Sequence, residues 1–398
     1  DVETAFLQAT LDKRIFLEPP PGMGVPRDQV LLLLKAIYGL KQAPLLWFTT
    51  AREFLLSLAF VQSTSDPCLF ILNRGADKLI LSLYVDDLIL TSSSQALVDW
   101  VMTKICARFP IRDIKELSWT VGVHLDLESD GLKMSQEAYI KSLVDKYLPN
   151  KNVRRRIPMA TSQNLEDESK IFGDMALYQA IVGCLNYLAH ATRPDIMFAV
   201  NCLSRSLLRP TVPQYLAAIR VIEYLNSSSK LQIPYKTNST LHCLHGFCDA
   251  SFPGLHTTTG LSTTGYCVFY NNNLIQWKSR RQSIVCLSTM EAELEAIVAL
   301  IVVLIQVQNT LGELGYSITN YTIYTDSEPA INYLNTPSEQ QKSRTRHLAI
   351  RFHFIRSLLK NGTLILKHVR SVEQIADIFT KPLPRETFEL LRRSLLSP

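Results

Sequence analysis

The chain has 398 residues, 47% apolar and 19% charged, enough to bury the cores of two or three domains and too apolar for a disordered segment. Lys and Arg exceed Asp and Glu by 41 to 36, and a net charge of +5 is too mild to mark a nucleic-acid binder by itself. Eight scattered cysteines without a Cys-x-x-Cys pair argue against a zinc site or a disulfide framework and fit a reducing, intracellular setting. No signal-peptide pattern is visible, and the longest uncharged apolar run, Ala296 to Val307, is shorter than the roughly 20 residues of a membrane span, so a buried helix and no membrane partner are expected.

The chain opens on Asp1-Val2-Glu3-Thr4-Ala5-Phe6, with neither an initiator Met nor a helix start, and reads as if entered in mid-element. Residues 1–160 mix strands and helices, and within them Leu79–Thr91 forms two apolar strands flanking Asp86-Asp87. Residues 161–240 are predicted mainly helical, from the spacing of Tyr178, Ile181, Leu185 and Leu188 and then from Ile196 to Leu208. The polar stretches Thr161–Lys170 and Asn226–Ser239 are the boundary candidates.

Residues 241–385 alternate strand and helix, which predicts an α/β domain with a mixed sheet and flanking helices. Leu241–Ala250 is a predicted strand; Gly265–Tyr270 and Leu274–Trp277 flank Asn271-Asn272-Asn273 as a hairpin. Ser288-Thr289-Met290-Glu291 is a capping box opening a long helix that buries Leu294, Ile297, Val298, Ile301 and Ile305. A strand at Tyr321–Thr325, a helix over Arg346–Lys360 ended by Asn361-Gly362, and a strand at Thr363–His368 follow. Ser371-Val372-Glu373-Gln374 is a second capping box leading into Ala376–Thr380. Basic residues cluster at 154–156, 278–281, 342–346 and 392–393; each can follow a phosphate backbone, and each taken alone reads first as solvated surface.

Two sets of acids invite chemistry. Asp86 and Asp87 are adjacent carboxylates between apolar strands, where mutual repulsion and desolvation both oppose ionisation and a divalent cation relieves both; the alternative is a plain hairpin with a polar turn. Farther on, Asp249 ends a strand, Glu293 lies in the first turns of the long helix, Asp326 follows a strand and Asp377 lies on the last short helix. Strand ends and helix starts can converge in such a sheet, and four gathered carboxylates would need cations; singly, each reads as a capping or surface acid. Glu291 competes for the helix position, but two residues apart means about 200° around a helix, and Glu291 is already taken by the capping box.

Tyr84-Val85-Asp86-Asp87 resembles the polymerase box of reverse transcriptases, and other stretches resemble the copia-type (Ty1/copia) retrotransposon branch in order. These are Asp1–Leu7, Tyr38–Pro44 with Trp47, Ser65–Phe70, Trp119-x-x-Gly122, and Thr192–Ile196 with Phe198–Asn201. In the last third, Cys248–Ala250, Ser262–Phe269, Ser288–Glu293, Tyr324–Ser327 and Ala376–Leu383 resemble the ribonuclease H part of the same polyprotein. The resemblance implies an RNA-directed DNA polymerase palm and thumb over 1–160 with most of the fingers absent, a helical connection over 161–240 and a ribonuclease H-like domain over 241–385. It implies two Mg²⁺ ions per centre, held by Asp1, Asp86 and Asp87 in the first and by Asp249, Glu293, Asp326 and Asp377 in the second. Phe6 would exclude a 2′-hydroxyl, and Gln42 would touch the incoming nucleotide; core packing and a surface amide are the alternatives. The implied partners are an RNA template, a DNA primer, deoxynucleotide triphosphates and an RNA–DNA hybrid, with integrase and capsid parts in the full polyprotein. Departures from the family pattern at Leu45-Leu46, Phe252, Gly260-Leu261 and Arg370 leave a degenerate relic that at most binds nucleic acid as the alternative.

Overall fold

A computed structural model of the chain describes all residues except 27, 113–116, 149, 163–164, 166–169, 238–241, 253–259 and 337–351. It divides into two compact units, Asp1–Leu117 and Ser118–Pro398.

The first unit is built on a four-stranded antiparallel sheet of β3 (Val61–Gln62), β4 (Leu69–Arg74), β5 (Asp77–Tyr84) and β6 (Asp87–Ser92), in that order, after a small pair of β1 (Phe16–Leu17) and β2 (Leu31–Leu32). Two helices, α1 (Ala43–Ser57) and α2 (Gln95–Arg108), each bury one face at four-residue spacing: Ala43, Trp47, Ala51 and Leu55 on α1, and Leu97, Val101 and Ile105 on α2. Pro44 sits in the first turn of α1, where its missing N–H leaves no bond unmade. On β5, Leu79, Leu81 and Leu83 alternate into the same core as Trp47, Phe70 and Phe109.

The β5–β6 turn differs by one residue from the sequence reading. Tyr84 pairs with Asp87, so the turn residues are Val85 and Asp86, and Asp87 already belongs to β6. Val85 takes a φ of 54°, a conformation β-branched residues avoid. The turn is held from two sides: the Trp47 Nε1–H donates to the Val85 carbonyl at 2.5 Å, and the Val2 N–H donates to the Asp86 carbonyl at 2.8 Å.

The second unit opens with β7 (Trp119–Thr120), β8 (Val123–Glu128) and β9 (Gly131–Ser135), continues through α3 (Glu137–Tyr147), α4 (Met175–Ala191), α5 (Met197–Ser204) and α6 (Val212–Ser227), and returns in β10 (Ile233–Lys236), which pairs with β9. The expected boundary at Asn226–Ser239 therefore contains a strand, anchored by the fully buried Ile233. No compact break falls at 160 either, because Arg155 pairs with Glu223 of α6 at 2.7 Å and Arg154 donates to the Asn226 carbonyl at 3.2 Å.

A five-stranded mixed sheet follows, made of β11 (Leu244–Ser251), β12 (Thr263–Tyr270), β13 (Asn273–Arg281), β14 (Tyr321–Thr325) and β15 (Leu364–His368). Its order is β13-β12-β11-β14-β15, with β11–β14 and β14–β15 parallel and the rest antiparallel. It is flanked by α7 (Thr289–Glu313), α8 (Glu328–Asn335), α9 (His353–Lys360) and, near the end of the chain, α10 (Arg385–Arg392). The chain is thus of the α/β class, and the expected mixed sheet with flanking helices is present.

Because β12 is covered on both faces, its residues are buried almost throughout: Tyr266 and Val268 pack into the core under α7, while Cys267 and Phe269 pack with α3–α6. That shared core explains why the helical zone does not separate from the sheet. Asn271 and Asn272, both with positive φ, make the two-residue β12–β13 turn. The Ser288 hydroxyl caps the Glu291 N–H at 3.2 Å, and the Glu291 carboxylate accepts from the Leu287 N–H at 2.7 Å. Helix α9 is described from His353 onward, so the start expected at Arg346 lies outside the described residues. Ser371–Glu373 and Ile375–Phe379 form 3₁₀ turns where a capped helix was expected, since Gln374, not Ser371, caps the Ala376 N–H. Among the described residues no helix is long and apolar enough to cross a membrane, and no cysteine forms a disulfide.

Candidate active sites

In the second unit the parallel register of Phe247 with Tyr324 carries two residues further to set Asp249, near the end of β11, level with Asp326, just past β14. The 3₁₀ turn Ile375–Phe379 brings Asp377 to the same place, held there by Gln374, whose amide donates to the Cys248 carbonyl of β11 at 3.0 Å. One ligand oxygen from each of Asp249, Asp326 and Asp377 lies within 4.8 Å of the others. Glu293, in the second turn of α7, reaches the neighbouring β11 backbone, where its Oε1 accepts from the Ala250 N–H at 3.2 Å. Its Oε2 is buried without a hydrogen-bond partner among the described residues. Glu291 does not compete for this position, being held at the cap.

The electrostatics follow from crowding. Burial, then the Asp249 charge, pushes Glu293 up to about 9 and Asp377 up to about 7. The Ala250 N–H and the Lys381 ammonium offset part of this, and further contacts hold the other oxygens. Ser371 Oγ donates to Asp326 Oδ2 at 2.9 Å, Thr380 Oγ1 donates to Asp249 Oδ2, and the Lys381 ammonium lies 2.9 Å from Asp377 Oδ1 and 3.7 Å from Asp249 Oδ2. Carboxylates from four separate elements, with an orphaned buried oxygen among them, suit a hard divalent cation.

Sequence reading assigned no site role to Ser371, Gln374, Thr380, Lys381 or Gly265. Thr380 and Lys381 had a signal, standing three and four residues after Asp377 and so able to turn back to it. Gly265, opposite Asp249 in β12, is needed for clearance: a Cβ there would lie 2.6 Å from Phe379 Cβ and 2.6 Å from Thr380 Cγ2. Gly265→Ala is therefore expected to cost about 1–3 kcal/mol through overpacking. It should also push the Asp377 turn off the sheet, seen as a lower melting temperature together with weakened divalent-ion binding.

The first acid set is arranged differently. The Arg112 N–H donates to the Asp1 carbonyl at 2.9 Å, and Val2 is tied to both Asp86 and Ile111, so the Asp1 backbone is fixed beside the β5–β6 turn. The carboxylates of Asp1, Asp86 and Asp87 do not gather within the 4.8 Å that unites the second set. Asp1 is exposed, and Asp86 and Asp87 are half-buried. Phe6 packs against Tyr38, with ring centroids 4.6 Å apart and planes tilted by 50°, and with Pro44, Trp47, Tyr84 and Val85 it lines a largely apolar cavity of about 210 Å³ beside the turn. Gln42 is half-buried at the start of α1; its carbonyl accepts from Leu46 at 3.0 Å and its side chain makes no cap.

Residues 1–161 match the family described as Reverse transcriptase (RNA-dependent DNA polymerase). The chain is 36% identical to the Retrovirus-related Pol polyprotein from transposon RE2 of Arabidopsis thaliana, covering 99% of this chain and 27% of the relative. It is 30% identical to the Ty5-1 transposon protein of Saccharomyces cerevisiae, covering 74% of this chain and 96% of that protein. The solved foamy viral protease-reverse transcriptase in complex with RNA/DNA hybrid overlaps 89% of this chain and 40% of that chain at a TM-score of 0.49 and 13% identity. The chain belongs to the reverse transcriptase family, in its copia-type retrotransposon Pol polyprotein branch. It spans 27% of the length of the RE2 polyprotein.

Proposed function

We propose that the chain carries two phosphoryl-transfer centres, an RNA-directed DNA polymerase at the β5–β6 turn and a ribonuclease H that cuts the RNA strand of an RNA–DNA hybrid at the β11 cluster. The observation that carries the second reading is the meeting of Asp249, Asp326 and Asp377 within 4.8 Å, with the orphaned Oε2 of Glu293 on the adjoining helix. Asp249, Glu293, Asp326 and Asp377 would hold Mg²⁺, which when bound supplies Lewis-acid activation of water and neutralises charge developing on the scissile phosphate. The chain's own part is positional: Thr380 and Ser371 orient carboxylate oxygens, and Gln374 fixes the Asp377 turn to β11.

For the polymerase centre, Asp1, Asp86 and Asp87 would hold the metals, Phe6 would discriminate deoxynucleotides from the wall of its cavity, and Gln42 would face the nucleotide. In this reading residues 1–160 serve as palm and thumb, 161–240 as the connection and 241–385 as the nuclease. Template, primer, deoxynucleotide triphosphates and hybrid are the substrates, integrase and capsid parts of the polyprotein are the partners, and the setting is intracellular. Arg280 and Arg281 end β13, with Arg281 paired to Thr263 and so at the same end of the sheet as Asp249, which supports a phosphate-binding edge there.

Hybrid cleavage in Mg²⁺ that disappears in Asp326→Asn and in Glu293→Gln, and primer extension on an RNA template that disappears in Asp86→Asn, are the expected results. Cleavage that survives both nuclease substitutions contradicts the site. Hybrid binding without any cleavage would instead support the relic reading.

A further inference from the structure

Lys381 stands out because its ammonium occupies the ground where the cation of the nuclease cluster belongs. It lies 2.9 Å from Asp377 Oδ1 and 3.7 Å from Asp249 Oδ2, touching two of the three carboxylates that meet there. Its stem leaves the chain just after the 3₁₀ turn, and its own N–H donates to the Asp377 carbonyl at 3.3 Å, so it rides on the turn that delivers Asp377. The side chain is 40% exposed while Asp249 and Asp377 are buried, so the ammonium reaches the cluster from the solvent side. A four-carbon stem with free rotations can carry it back out without moving the backbone.

We propose that Lys381 is a positioning residue of the nuclease centre: its ammonium stands in for the divalent cation, holding Asp249 and Asp377 together in the metal-free chain, and must give way when the metal binds. The proposal rests on the reading of this cluster as a metal site. It differs from a plain surface ion pair in its sign. A surface pair would leave metal affinity alone, whereas a resident monovalent cation competes with the incoming one. Removing it should weaken the metal-free fold and strengthen metal binding.

The test is titration of the full chain with Mn²⁺ alone, read by the electron paramagnetic resonance signal of the free ion, alongside thermal melting with and without Mn²⁺. Lys381→Met is expected to bind Mn²⁺ about two- to fivefold more tightly, the worth of one solvent-exposed ion pair. It should melt lower without metal and gain more on adding Mn²⁺. Lys381→Arg should stay near the wild-type affinity, and Lys381→Gln should repeat the gain if the Met variant folds poorly. Unchanged or weaker Mn²⁺ binding at the Asp249-dependent site, the part of wild-type binding that Asp249→Asn removes, overturns the role of Lys381 if the Met or Gln variant is folded. Wild-type chain without Asp249-dependent Mn²⁺ binding overturns the metal site itself, and Lys381 with it.

Discussion

Replacing Asp249 with Asn is expected to cut hybrid cleavage at least about a hundredfold, since even outer-shell partners of metal ligands cost roughly 10–100-fold. It should at the same time stabilise the metal-free chain at neutral and higher pH. The two effects share one cause. Asp249 is the charge that, after burial, most raises both Glu293 and Asp377, to about 9 and about 7. Among the described residues, the groups facing this pair are Asp249 and Asp326, the Lys381 ammonium, and the thiol of Cys248, itself pushed well up by burial.

In the unfolded chain both acids titrate near pH 4. Between that value and their raised folded values, the folded cluster holds protons the unfolded chain has released. Metal-free stability is therefore greatest below about pH 4 as far as these two groups are concerned, and falls as pH rises through about 7 and then about 9. Asp249→Asn removes the shared repulsion, so the slope should flatten, with a gain above pH 7 of about 1 kcal/mol or more, the worth of roughly one pKa unit. Saturating Mg²⁺ should flatten the wild-type slope as well and leave the variant unmoved. Melting curves across pH, with and without Mg²⁺, measure both.

The second large effect concerns a buried network away from the chemistry. Arg193 and Asp195, both fully buried, form a two-pronged pair at 2.9 and 2.7 Å. Tyr224 donates to Asp195 at 2.5 Å, Arg193 donates to the Ser228 carbonyl and hydroxyl at 3.1 and 2.8 Å, and Arg392 of α10 donates to Tyr224 at 3.0 Å. Burial works to raise the Asp195 carboxyl, but the Arg193 charge and the Tyr224 hydroxyl outweigh it and hold it below its ordinary value. Its contribution is thus present above the ordinary carboxylate range and is lost as pH falls below it.

Arg193→Ala or Asp195→Asn leaves one buried group without its counter-charge, a loss of about 3–5 kcal/mol. The melting temperature of the second unit should then drop by on the order of 10 °C. A paired apolar replacement, Arg193→Met with Asp195→Leu, should recover much of that loss, because the cost lies in the unpaired charge. A drop no larger in the single variants than in the pair would contradict the unpaired charge as the source of the loss.

What could be read from the sequence divides along physical lines. Local signals carried well: Asn271-Asn272 needs positive φ and makes the hairpin turn, Ser288 caps α7, and the four-residue spacing of apolar residues locates the buried helix faces. Helix geometry and the capping box together tell Glu291 from Glu293. Nonlocal pairing was less legible. Strand β10 is four residues in a polar stretch, and only its partner β9 reveals it. The Tyr84–Asp87 pairing moved the turn to Val85-Asp86 because Trp47 and Val2, distant in sequence, hold a φ that Val would not adopt alone. The segment that carries Asp377 reads from sequence as a capped helix and is not one, since Gln374 satisfies a backbone carbonyl on β11, a contact that no pattern within residues 371–380 encodes.

The proposed metal-binding role of the β11 carboxylates is tested most directly by crystals of the chain soaked in Mn²⁺ and measured for anomalous scattering. Density bounded by Asp249, Asp326 and Asp377, with Glu293 alongside, is the expected result, and it should vanish in Asp249→Asn. Full Mn²⁺ saturation with no anomalous peak at that cluster, whatever peaks stand elsewhere on the chain, would contradict it.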